Sequence, residues 1–190
     1  TKEYFLSKHQ VGVAVPQGAD AAVGIFRQIS RHLGGDEVIV KIDFRNAFNE
    51  GSRKAFIEEI ARLLPSLLPF VLSSYGSAST LFFGDLDLQS ESGSQQGDPL
   101  GPLLFALLAA LADDTLSELP DTVRVWYLDD LTLRIKGAQL PRLMALINTW
   151  QRWGLHVNMD KCEVIATEDM LPALRQQHPT FQRFLPSTGW

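Results

Sequence analysis

The chain has 190 residues and 45% hydrophobic content, enough for one domain with a sizeable core. Its formal net charge of −5, from 17 basic and 22 acidic residues, is not the basic excess that binding to nucleic acid phosphates usually brings. The single Cys162 excludes an intrachain disulfide and a zinc knuckle, no run of about 18 apolar residues suggests a membrane helix, and no signal-peptide pattern opens the chain, so an intracellular protein with no membrane partner is expected.

Residues 19–33 read as an amphipathic helix, with Ala22, Ile25, Phe26, Ile29 and Leu33 on one face and Gly34-Gly35 ending it. Arg27 and Arg31 lie elsewhere on that helix, where they are either solvated or in reach of phosphate. Val38-Ile39-Val40-Lys41-Ile42 has the β-branched content of a buried strand, expected over about 37–43. It ends in Asp43, a poor strand former that either caps the next turn or is delivered to a site. Residues 52–64 read as a helix, and Pro65 starts a second one that runs to about Tyr75 before Gly76 breaks it. Thr80–Phe83 and Leu86–Leu88 read as a hairpin across Gly84-Asp85.

Ser92-Gly93-Ser94-Gln95-Gln96-Gly97-Asp98-Pro99-Leu100-Gly101-Pro102 is a glycine-rich loop leading into an apolar helix over about 99–118. Either Asp98 with Pro99, or Gly101 with Pro102, can fill the first helical positions. Capping does not account for Gln95-Gln96-Gly97; a glycine lets a base or sugar approach the backbone, and a glutamine amide offers it donors and an acceptor. Val123, Val125 and Tyr127 alternate before Asp129-Asp130, and Leu131, Leu133 and Ile135 alternate after, the pattern of a hairpin over 122–135. A helix over 139–153, a strand over 162–167 and a short C-terminal helix follow. Strands at 36–43, 122–128, 130–135 and 162–167 with helices on one face make an α+β layer.

Two adjacent carboxylates at a hairpin tip repel each other, and the sheet gains nothing from that. Asp129-Asp130 is either a solvated turn or a place for a hard divalent cation, which takes one or two carboxylates plus phosphate oxygens. A strand-end Asp43 together with the hairpin pair is a way to assemble a site for two cations about 4 Å apart, the device that serves phosphoryl transfer. His9, His32, His156 and His178 share no ligand spacing, and Cys162 reads as a small buried hydrophobe.

Four motifs occur in order: Asp43 with Phe48 five positions on, Gln95-Gln96-Gly97-Asp98-Pro99-Leu100, Tyr127-Leu128-Asp129-Asp130, and Gly154-Leu155-His156-Val157-Asn158-Met159-Asp160-Lys161-Cys162-Glu163. Together they resemble motifs A to D of a reverse transcriptase palm, nearest to the non-LTR (LINE-like) retrotransposon type. The run Gln10-Val11-Gly12-Val13-Ala14-Val15-Pro16-Gln17-Gly18-Ala19-Asp20-Ala21-Ala22 resembles the segment before motif A, so the likeness covers about residues 8–165.

The resemblance implies a right-hand polymerase palm with partial fingers: a fingers segment at 1–36, motif A in 37–76, a hairpin and the motif B loop in 77–98, motifs C and D in 99–170, and a tail at 171–190 before a thumb. It implies Asp43, Asp129 and Asp130 as metal-binding carboxylates, with the backbone carbonyl of Phe44 as a further ligand for two Mg²⁺ ions, Mn²⁺ substituting. Phe48 matches a steric gate against the ribose 2′-hydroxyl, with a core aromatic as its ordinary alternative. Gln96 and Gly97 line the nucleotide pocket, Tyr127 touches the primer or packs beneath the turn, and Lys161 is a general acid or a solvated turn lysine. The implied partners are an RNA template, a DNA primer, deoxynucleoside triphosphates, and flanking fingers, thumb and endonuclease regions of a larger polyprotein. Neither the basic part of the fingers nor a primer grip and thumb is recognisable, so weak or absent polymerisation is expected of the segment alone. The competing reading is a domesticated, catalytically silent binding or scaffold module.

Overall fold

A computed structural model describes residues 2–95 and 97–187. In chain order the elements are α1 (Lys2–Ser7), α2 (Gly18–Arg31), β1 (Glu37–Ile42), α3 (Ala47–Glu50), α4 (Arg53–Leu63), α5 (Leu68–Tyr75), β2 (Ser79–Phe83) and β3 (Leu86–Ser90). They continue with α6 (Gly101–Leu116), β4 (Val123–Tyr127), β5 (Asp130–Lys136), α7 (Leu140–Trp150), β6 (Glu163–Ala166), α8 (Leu171–Gln177) and β7 (Arg183–Pro186). No helix among the described residues is long and apolar enough to cross a membrane.

β4-β5-β1-β6-β7 form one sheet, while β2 and β3 pair separately as a hairpin. β1 lies at the centre because it is apolar on both faces; it runs antiparallel to β5 and to β6, and β7 joins β6 in parallel. On one face Val38, Val40 and Ile42, with Leu131, Leu133 and Ile135 of β5, meet α4, α6 and α7 in the main core. Each fully buried side chain of this kind stabilises by roughly 1.5–3 kcal/mol. α6 is apolar nearly all round, and it is correspondingly buried along most of its length.

The expected layer of helices on one face holds for this main body, and α2 is the exception. Strand residues alternate in direction, so Ile39 and Ile165 point away from the main core. Ile25, Phe26 and Ile29 of α2 cover them in a second, smaller cluster.

Most expected elements are present with ends moved by a few residues. Ser52 caps α4 by accepting from the Ala55 N–H, and Gly101 with Pro102 opens α6. Asp98 instead accepts from the Leu100 N–H in a tight turn before the helix. Three described elements lack a sequence signal, the four-residue α3 among them. β7 is a four-residue edge strand ending in Pro186, and α1 is a six-residue helix.

Candidate active site

Asp43 follows the last residue of β1. Ile42 pairs with Leu131, so continuing the register by one residue sets Asp43 across from Asp130. The Asp43 carbonyl accepts from the Asn158 N–H at 2.8 Å, and the Arg45 N–H donates to the His156 carbonyl at 2.7 Å. The segment around Lys161 is therefore sewn to the backbone that carries Asp43. The Phe44 ring stacks on Trp126 and Trp150 in the core, with centroids at 5.8 and 6.1 Å, so what Phe44 offers the cleft is backbone.

Tyr127 ends β4 and pairs with Asp130, which opens β5, leaving Leu128 and Asp129 as a two-residue turn. Leu128 has φ 54°. A residue with a side chain enters that region at a cost of about 1–3 kcal/mol and stays only where its surroundings hold it.

The glycine-rich loop packs on the segment after Asp43. The Ser94 N–H donates to the Phe48 carbonyl at 2.8 Å, and the Gly93 N–H to the Gly51 carbonyl at 2.7 Å. Gly93 has φ +62°, and a Cβ there would lie 2.3 Å from the Phe48 carbonyl oxygen, so only glycine fits. The Tyr75 hydroxyl donates to Asp98 and accepts from the Gln95 N–H. Burial, then the bond to Asp98, raises the Tyr75 hydroxyl above its usual value. Buried Arg53 donates to the Gly93 and Ser90 carbonyls, and its guanidinium lies over the Tyr75 ring.

Two cavities share Asp43 and Lys161 in their walls. One, of about 520 Å³, is lined by Asp43, Phe44, Phe48, Gly97 and Asp129 among others. The other, of about 410 Å³ under α2, includes Tyr127, Asp130, Lys41 and Thr132. Phe48 is half-buried, with its ring against Phe105 at 5.1 Å between centroids. Gln96 lies outside the described residues.

The three carboxylates are divided between the two cavities, with Asp43 common to both. Asp43 and Asp129 share the larger cavity, whereas Asp130 lines the smaller one with Asp43. No group of three His, Cys, Asp or Glu side chains among the described residues is arranged to hold a metal ion. The reason is local: Asp129 belongs to the turn and Asp130 to the strand, so consecutive residues aim differently.

The Asp43–Asp129 pair nevertheless fits a hard cation. The Asp43 Oδ1 atom is buried with no hydrogen-bond partner, which is costly for a carboxylate oxygen. Burial raises the Asp129 carboxyl above its ordinary value; its own backbone N–H opposes this, and Asp130 and Asp43 add to it. Two carboxylates on one open cavity match the one or two protein carboxylates that Mg²⁺ takes.

Tyr75 and Arg53 hold the glycine-rich loop, and sequence reasoning missed both. Tyr75 ends the helix expected from Pro65, and Arg53 falls in the helix expected over 52–64, with no contact expected of either. A buried guanidinium joined to loop carbonyls has no local sequence signal.

A family model described as reverse transcriptase (RNA-dependent DNA polymerase) matches residues 4–181. No curated protein matches the sequence. Among solved structures, telomerase from Candida albicans in complex with the TWJ fragment of telomeric RNA is similar at TM-score 0.66 and 16% identity, over 87% of this chain and 33% of that one. Apo telomerase from Candida tropicalis is similar at TM-score 0.66 and 15% identity, over 88% of this chain and 36% of that one. The chain thus spans about a third of the length of these structures. At such identities the likeness is one of fold, that of a polymerase palm.

Proposed function

The chain belongs to the reverse transcriptase family, and on that premise we propose that its larger cavity is the site of RNA-templated DNA synthesis by two-metal nucleotidyl transfer. The observation that carries the reading is the pair Asp43 and Asp129 facing one cavity with Phe48 and Gly97, together with the unpartnered Asp43 Oδ1.

Asp43 and Asp129 are the carboxylates that hold divalent cations, Mg²⁺ or Mn²⁺ in its place, with the Phe44 carbonyl beside them and Asp130 at the margin. When bound, the cations supply the charge that favours attack of the primer 3′-hydroxyl on the α-phosphate and departure of pyrophosphate. Phe48 lies beneath the sugar, where its ring meets a ribose 2′-hydroxyl and leaves a deoxyribose room. Gly97, at φ +86° with no atom within 4 Å of a would-be Cβ, leaves backbone open to the incoming nucleotide. Gln96 is its polar neighbour in this role. Lys161 stands beside Asp43 and gives a proton to the leaving pyrophosphate. Tyr127, on the other side of Asp43, contacts the primer.

The template is RNA, the primer DNA and the substrates deoxynucleoside triphosphates. A non-LTR retrotransposon polyprotein, with fingers, thumb and endonuclease around this palm, is the setting that the Gln10–Ala22 run and the motif order support. The test is primer extension on an RNA template with Mg²⁺ or Mn²⁺, by the wild-type protein and by Asp43→Asn. Extension that is weak or absent with this segment alone, cation-dependent when fingers and thumb regions flank it, and abolished there by Asp43→Asn is the expected result. Cation and primer-template binding without extension in the flanked protein as well would instead favour the silent binding module.

A further inference from the structure

The residue before Asp129 is held in its unfavourable conformation by a side chain more than a hundred residues away in sequence. Gln10 is 1% exposed. Its Oε1 accepts from the Leu128 N–H at 2.9 Å and from the Gly12 N–H at 2.9 Å. Its Nε2 donates to the Leu128 carbonyl at 3.1 Å. One amide thus satisfies both backbone groups of the positive-φ residue in the turn.

Gln10 is itself fixed on both sides. The Trp126 N–H donates to the His9 carbonyl and the Val11 N–H donates to the Trp126 carbonyl, each at 2.8 Å, so residues 9–11 lie as a short parallel strap along the edge of β4. Buried Asp113 of α6 accepts from Trp126 Nε1 at 3.1 Å and pairs with Arg124 Nε at 2.9 Å and with His9 Nδ1 at 3.1 Å. Gly12 completes the fit, because a Cβ there would lie 2.5 Å from the Leu128 nitrogen.

From this we infer that Gln10 is a positioning residue, whose amide sets the Leu128–Asp129 turn so that Asp129 faces the cavity shared with Asp43. The inference rests on the reading of Asp129 as a cation-holding carboxylate. Gln10 touches no substrate; it acts through the Leu128 backbone. An aliphatic residue of the same length fills the same space and leaves the Leu128 N–H and carbonyl unpaired. Asparagine keeps the amide but is one methylene too short to reach the turn from the same backbone.

The experiment compares wild type, Gln10→Met, Gln10→Asn, Asp129→Asn and Leu174→Ala, the last a core truncation in α8 remote from the turn. Three quantities are read in each: Tm, amide hydrogen exchange at Leu128 and Gly12, and the Mn²⁺ dissociation constant by electron paramagnetic resonance. Gln10→Met is expected to speed exchange at both amides at least tenfold over that at Val40. It should also raise the Mn²⁺ dissociation constant by about 10–100-fold, the range for residues that orient a metal ligand. Gln10→Asn should behave alike, and it decides the matter if the Met variant does not fold. Leu174→Ala should lower Tm and leave Mn²⁺ binding unchanged. Wild-type exchange at Leu128 in the Gln10 variants, or a lowered Tm with an unchanged Mn²⁺ constant, would overturn the role. If Asp129→Asn binds Mn²⁺ as tightly as wild type, the cation-site reading fails instead, and the Leu128 amide still decides whether Gln10 sets the turn.

Discussion

The backbone N–H of Asn158 donates to the carbonyl of Asp43 at 2.8 Å. That bond joins the turn carrying Lys161 to the strand end carrying the first acid, across more than a hundred residues of sequence. The Cys162 thiol lies 3.9 Å from the same carbonyl oxygen. The floor of the candidate site is therefore backbone tied to backbone, and its chemistry depends on side chains set on that floor.

Asp129→Asn should raise the Tm of the metal-free protein at neutral pH. Burial, then the neighbouring acids, raises the folded-state carboxyl, so its ionised form opposes folding. That penalty is full above the raised folded value and fades as pH falls through it towards the ordinary aspartate value of about 3.9. The gain from the substitution should fade over the same window, as thermal melts from pH 7 down to about 4 would read. In the presence of Mg²⁺, the same variant should lose activity by more than the roughly 10–100-fold typical of residues that only orient a ligand. A Tm lower than wild type at pH 7 would contradict the electrostatic account.

Phe48→Val should admit ribonucleotides while keeping much of the deoxynucleotide activity. The ring also packs on Phe105, so Phe48→Ala should cost about 1–3 kcal/mol of stability, less than full deletion of a buried Phe. Ratios of ribo- to deoxynucleotide incorporation in single-turnover assays provide the check. An unchanged ratio assigns Phe48 to the core alone.

Tyr75→Phe removes the hydroxyl that joins Asp98 to the Gln95 N–H. It should cost about 0.5–1.5 kcal/mol, the net worth of a typical hydrogen bond. The looser loop should appear as a higher KM for nucleotide with a smaller change in kcat. A kcat effect alone would place Tyr75 outside nucleotide binding.

Cys162 should resist alkylation in the native protein. It is fully buried, and burial pushes its thiol up to about 11, so little thiolate forms at pH 8. Titration with a thiol reagent should give no fast-reacting group until denaturant is added. A fast native reaction would show that the segment beneath Asp43 opens readily.

What was legible in the sequence was local. The β-branched run of β1 and the alternation around Asp129-Asp130 announced two strands because their side-chain period is two. The loop at Gly93 and Gly97 was visible from its glycines. The parts that were not legible depend on distant partners. Nothing near Gln10 says that its amide is buried against Leu128, and nothing near Arg53 announces its bonds to the Ser90 and Gly93 carbonyls. The second face of the sheet was missed for a related reason: Ile39 and Ile165 are separate strand residues whose shared cover, α2, exists only once β1 and β6 pair. Asp129 and Asp130 are adjacent in sequence, but one belongs to the turn and the other to β5, and each lines a different one of the two cavities that share Asp43.

The most direct measurement is a crystal structure with Mn²⁺ and a deoxynucleoside triphosphate bound, read by the anomalous signal of the metal. The account predicts a Mn²⁺ peak between the Asp43 and Asp129 carboxylates, with the triphosphate reaching it and the sugar over Phe48 beside Gly97. A Mn²⁺ peak away from both carboxylates, or a triphosphate bound outside that cavity, would contradict it.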